Sequence, residues 1–261
     1  VIGRLGKSGE LLRSTKSTMS RNLRVLVACE MSARVRTQFA LRGWDATSAD
    51  LLPDEAEIWA EPGQPVAGKH YQGDVLDIIE QDWDLVIAHP PCEDLSQAGA
   101  RYWAQKQADG RQLAAADFFM KMIDLPPKTA YVAVENPRGI MSKLYRPPDQ
   151  VVQPWWFGDP LSKTTFWWLR GRDIPWYESA GEWVFPPLPL LCADQRVKST
   201  GRVATGGGSW RTDQAHGRTG SNEHEDSQGR ARRKIVRSIT TPGVARALAE
   251  QWGSYIESRR G

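Results

Sequence analysis

The chain has 261 residues, of which 25% are charged and 40% hydrophobic, and a formal net charge of +3. This is the composition of an ordinary soluble chain, long enough for one sizeable domain with a small lobe. No apolar stretch approaches the roughly 18 residues needed to cross a bilayer. Three cysteines, at 29, 92 and 192, give neither a disulfide framework nor a CxxC metal site and fit a reducing cytoplasm. The four histidines are scattered, so no metal site is expected.

Residues 1–20 are basic and polar without period, and Met19 stands just before the first convincing strand. They are expected to be a disordered or non-native head. "RVLVAC" (24–29) reads as a buried strand, and "ARVRTQFALRG" (33–43) as a helix stopped by glycine. "WDATSADLL" (44–52) is a second strand ending at Asp50, followed by a Pro/Gly/Glu-rich loop over 53–69. "KHYQGDVLDII" (69–79) carries a short strand and a turn at Asp74, where the acid could also cap a helix starting at Val75. "WDLVIAHPPC" (83–92) is a strand halted by its proline pair, since proline lacks an N–H donor and fixes φ. "GRQLAAADFFMKMIDL" (110–125) has helical periodicity, "TAYVAVENP" (129–137) is a buried strand, and "KTTFWWL" (163–169) is another. The tryptophan pairs at 155–156 and 167–168 are expected in the core.

Character changes after residue 170. The segment 196–237 holds ten Lys/Arg against four Asp/Glu, with much Gly and Ser and almost no apolar period. Such a stretch is either a disordered basic loop or a segment that orders on a phosphate backbone. "TPGVARALAEQWGSYIES" (241–258) then returns to a helix with proline in its first turn.

Alternating strands and helices predict an α/β sandwich around a mainly parallel sheet, with its ligand site at the carboxyl ends of the strands. Asp50, Asp74, Cys92 and Glu135 all fall at or just after such ends.

The motifs "ACE", "GDVLD", "HPPC", "VENP" and "TPGVARA" resemble the DNA cytosine-5 methyltransferases, in their phage and prophage branch, over residues 24–170 and 237–255. The resemblance implies a class I S-adenosylmethionine-dependent (Rossmann-like) fold with a small basic insert. It divides the chain into a core at 21–170, a basic target-recognition-like insert at 171–237 and a returning C-terminal helix at 238–261. It implies Cys92 as the nucleophile that adds to cytosine C6. Glu135 is implied as the carboxyl group that stabilises the adduct, and Lys163 stands for an arginine of the family's Gln-x-Arg-x-Arg strand, with Thr165 at the second arginine. S-adenosyl-L-methionine would meet Glu30, Ser32, Asp50, Asp74 and Pro90, although "ACEMSARV" lacks the family's glycines. DNA would meet Ser96, Arg101, Arg202, Arg211, Arg232 and Arg233. Glu93 replaces the usual glutamine beside the nucleophile and would raise the thiol's pKa. The expected setting is a monomer in a bacterial cytoplasm, phage or prophage encoded, within restriction and modification. Three alternatives stay open: an inactive DNA-binding homologue acting as an anti-restriction decoy, a DNA amino-methyltransferase, and an enzyme of free nucleotides.

Overall fold

The computed structural model describes residues 21–126, 128–171, 188–199 and 238–259. The expected head (1–20) lies outside them, as do Arg202, Arg211, Arg232 and Arg233.

Seven strands form one sheet: β1 (Arg24–Ala28), β2 (Asp45–Asp50), β3 (Lys69–Gln72), β4 (Leu85–Ala88), β5 (Tyr131–Pro137), β6 (Gln150–Val152) and β7 (Thr165–Gly171), in the order β3-β2-β1-β4-β5-β7-β6. The first five strands run parallel, while β7 is antiparallel to both of its neighbours. This is the arrangement of the class I S-adenosylmethionine-dependent methyltransferase sandwich.

Alternation along each strand builds two cores. Val25 and Val27 of β1, Leu85 and Ile87 of β4, and Trp167 of β7 face one side, where they meet helix α1 (Arg34–Leu41) and the C-terminal helix. Leu26, Ala28, Val86, Ala88 and Trp168 face the other side and pack against Phe119 and Met122. A period of two on a sheet covered on both faces gives the near-continuous apolar runs seen in the sequence. Phe119 and Met122 lie on α4 (Arg111–Ile123), which α2 (Ala56–Trp59) and α3 (Trp103–Ala108) precede in the chain. A short helix, α5 (Met141–Leu144), follows β5. The C-terminal helix runs as α6 (Pro242–Ala247), a π-helical turn (Leu248–Trp252) and α7 (Gly253–Ser258). The π turn aims Trp252 edge-on at Trp167, with ring centroids 5.3 Å apart.

Trp167 and Trp168 are buried as expected, but Trp155 and Trp156 are only half-buried. Part of the expected insert (171–237) belongs to the core. Leu188 and Leu191 are buried, Trp252 Nε1 donates to Pro189 O (2.8 Å), and Gln251 pairs with the Cys192 backbone. The apolar run "PLPLL" inside this stretch gives the reason, since it has surface to bury.

Candidate active site

The chain crosses over between β1 and β4, which are neighbours in the sheet but not in sequence. In open α/β sheets ligands bind at the carboxyl edge beside such a crossing. Cys29 and Glu30 follow β1, Asp50 ends β2, Asp74 follows β3, His89 to Cys92 follow β4, and Glu135 lies near the end of β5. Because β7 is antiparallel, its start reaches this same edge: Pro137 stands opposite Thr165 and Glu135 opposite Trp167. Lys163 is thereby delivered to the site.

The loop after β4 is held from three sides. Leu95 N and Ser96 N donate to Cys92 O, so the chain turns at the cysteine. Asn136 Nδ2 donates to Pro90 O (3.1 Å), tying the tip of β5 to the proline pair. Gln97 N donates to Arg138 O and Ile140 N to Leu95 O, both at 2.9 Å. Gly139 permits that last approach: a Cβ there would stand 2.1 Å from Leu95 O. From below, buried Lys106 donates to Glu93 O (2.7 Å) and pairs with Asp94 (3.0 Å). Asn136, Gly139 and Lys106 were not singled out from sequence. The first two were legible as the continuation of "VENP" into "RG", whereas Lys106 has no motif around it.

Cys92 is largely buried in this turn, and burial pushes its thiol up. The Glu135 charge adds to the rise, Lys163 opposes it, and Glu93, the neighbour expected to raise it, contributes least. Glu135 is buried. Burial alone would raise its carboxyl, yet the Lys163 ammonium, the His89 ring and the Thr165 hydroxyl together hold it below the ordinary glutamate value. His89 Nδ1 stands 3.5 Å from Oε2, and Lys163 Nζ stands 4.0 Å from Oε1. Lys163 also reaches the carbonyls of Ser238 (3.5 Å) and Ile239 (3.4 Å), so the returning C-terminal segment holds it in place. A narrow cleft lined by Glu135, Lys163, Thr165, Trp167, Thr240 and Thr241 opens beside the carboxylate.

The loop after β1 has a different character. It lacks glycine, yet Cys29 (φ 58°) and Ala33 (φ 59°) both take the left-handed conformation that glycine would adopt freely. Glu30 is buried, and its two oxygens accept from Val35 N (2.7 Å) and Arg36 N (3.2 Å). Ser32 Oγ lies 3.4 Å from Glu30 and 3.5 Å from Arg34 N. The first turn of α1 is therefore satisfied from within the chain. Arg36 is also buried, and it braces Ser48, Asp54 and the carbonyls of Ala67 and Lys69.

On the β2 and β3 side, Asp50 Oδ1 accepts from Leu52 N (2.9 Å), and its carboxyl is raised, chiefly by burial. Asp74 accepts from Leu76 N (3.0 Å), capping the 3-10 turn Val75–Asp77. Cys29 lies near both acids, and burial together with their charges pushes its thiol up to about 12. Leu51, beside Asp50, is exposed. A carboxylate next to an exposed apolar side chain fits a ribose-bearing adenine, so the residues present suit the adenosine end of a nucleoside cofactor. The saturated α1 terminus gives its amino-acid end no helix N–H groups.

Of the DNA-contact residues expected from sequence, Ser96 caps the following turn by accepting from Ala98 N (3.2 Å). Arg101 is exposed, with its guanidinium 4.7 Å from the Tyr102 ring centroid.

No family model and no curated protein matches the chain. Among solved structures it is similar to a DNA modification methyltransferase encoded within a prophage, from E. coli. The identity there is 19% and the TM-score 0.38, over 57% of this chain and 46% of that one. It is also similar to the Entamoeba histolytica methyltransferase EhMeth, at 11% identity and a TM-score of 0.40, over 68% of this chain and 58% of that one. The chain thus spans about half the length of these structures.

Proposed function

We propose that the chain is a DNA cytosine-5 methyltransferase of phage type. The observation that supports this most is the meeting of three groups at adjoining strand tips beside the crossover. They are a buried thiol on a stiff turn, a buried carboxylate held ionised, and an ammonium coupled electrostatically to both.

The chemistry needs those groups. Cytosine C5 is a weak nucleophile. Addition of Cys92 Sγ to C6 moves the C5=C6 electron pair through the ring to N3, and the proton the thiol gives up passes to the ionised Glu135 carboxylate. Glu135 gives that proton to N3, which neutralises the negative charge developing there, takes it back once C5 is methylated, and as a carboxylate accepts from the exocyclic amine. S-adenosylmethionine would supply the methyl group that C5 takes. Loss of the C5 proton and of the thiolate then restores the ring. Asp50 and Leu51 would hold the adenosine, with Asp74 and the Pro90 turn closing the pocket. Because Cys92 is buried, the target base must leave the duplex stack to reach it. Ser96, Arg101 and the basic segment 196–237, with Arg202, Arg211, Arg232 and Arg233, would contact the DNA backbone and its target sequence.

A second reading is a DNA-binding homologue without transfer. The internally satisfied α1 terminus and the raised Cys92 thiol favour it. One experiment separates the two: unmethylated DNA with labelled S-adenosylmethionine, beside a Cys92→Ser control. Label on cytosine C5 that is lost in the control supports the methyltransferase. DNA binding without label, and no covalent adduct on 5-fluorocytosine DNA, supports the binding protein.

A further inference from the structure

His89 was not among the site residues expected from sequence. It extends the parity of Leu85 and Ile87 one step past β4, so its ring turns to the same face as Trp167 and Glu135. Its side chain is only 6% exposed. It meets Trp167 edge-on, with centroids 5.9 Å apart, and neither ring nitrogen has a hydrogen-bond partner. A buried imidazole with two open nitrogens is costly unless something engages it. The nearest charged group is Glu135, whose Oε2 lies 3.5 Å from Nδ1, at ion-pair distance but outside hydrogen-bond geometry. The other carboxylate oxygen, Oε1, is buried and makes no hydrogen bond. Contacts of this length in a reaction site tighten once the substrate is in place.

We propose that His89 is a positioning residue for Glu135: Nδ1 holds Oε2 while Lys163 stands at Oε1, and together they fix the plane in which the carboxyl group meets the target base. This rests on the cytosine-5 reading and adds a specificity device to it. A carboxyl group fixed in one plane can meet the N3 and amino edge of cytosine in one orientation only. The charged groups around the pair are Lys163 and Cys92 beside Glu135, and Glu30, from the loop after β1, facing His89. The Thr165 hydroxyl also bears on Glu135.

The test uses the full chain with His89→Leu and His89→Asn, since asparagine keeps an N–H near the place of Nδ1. Transfer to unmethylated DNA is followed against pH, with separate kcat and KM, and the Glu135 carboxyl titration is followed by infrared difference spectra. His89→Leu should lower kcat up to about a hundredfold, leave the cofactor KM unchanged, and move both the Glu135 titration and the matching limb of the pH profile upward. His89→Asn should recover most of the rate. Thermal melts establish that both variants fold. A wild type that transfers, with a Glu135 titration unmoved in His89→Leu, overturns the role of His89 alone. A folded wild type that binds DNA but neither transfers nor traps 5-fluorocytosine overturns the reaction, and the role of His89 in it.

Discussion

Glu30 and Glu135 are both buried carboxylates at the carboxyl edge of one sheet, and they are in opposite situations. Glu30 has both oxygens engaged by amides of α1, and its pKa is raised, with burial the largest cause. Glu135 receives no backbone amide at all in the described contacts. It is held ionised by side-chain groups and keeps Oε1 open. The contrast separates an acid closed within the fold from one left open, and on the proposed reading only the second acts in the reaction. Burial and a strand-tip position are common to both, and what differs is whether the hydrogen-bonding capacity is closed within the chain.

The comparison can be broken at several points. The largest effect is expected at the group that shares the open site: Cys92→Ser should reduce C5 methyl transfer by at least about ten-thousandfold and abolish the adduct on 5-fluorocytosine DNA. Glu135→Gln should lower kcat by about a hundredfold to a thousandfold while DNA binding persists in a gel-shift titration. Glu30→Gln should act on the fold instead, lowering stability by about 1–3 kcal/mol in urea unfolding, with specific activity per folded molecule nearly intact. Transfer lost in a well-folded Glu30→Gln would make the two acids functionally alike and end the distinction.

Acid sharpens it further. A raised carboxyl contributes more stability as pH falls through its folded value toward the ordinary glutamate range. A lowered one contributes above that range and loses its contribution as pH falls through its folded value. Stability of the wild type relative to Glu30→Gln should therefore grow on acidification, and relative to Glu135→Gln it should shrink. Urea midpoints across the acid range read both slopes. The smallest change is expected from Ala33→Gly. Relief of the left-handed strain is worth about 1 kcal/mol, and glycine's greater freedom in the unfolded chain offsets much of it. A shift of several degrees in the melting midpoint would mean that the loop after β1 is far more strained than its φ suggests.

Much of this was legible in the residues. The runs at 24–29, 83–92 and 129–137 became β1, β4 and β5 because a strand covered on both faces is apolar throughout, and a proline after it ends the ladder. The helix at 110–125 and the return at 241–258 carried clear 3.6 periodicity. β6 went unseen, since three residues beside "PPDQ" make no pattern. At the site, Cys92, Glu135 and Lys163 were legible in the motifs, and the structure brings them together. His89 and Lys106 were not. Their importance lies in which backbone or side chain each one reaches across the fold, and spacing along a chain does not record that. Ser32 and Glu30 were expected to face a cofactor. Their closure onto α1 depends on left-handed residues that the composition of the loop gave no reason to expect.

The carbonyls that hold Lys163 have one more consequence. They come from residues 75 and 76 positions later in the chain, and Glu257 reaches back to Arg42 across 215 residues. Closing such loops is among the last and slowest events in assembling a domain. On a ribosome, the thiol and its carboxylate would already have emerged while the ammonium beside them still lacked its anchor. The anchor of Lys163 would then arrive only with the returning segment, long after the strand tips it stands beside.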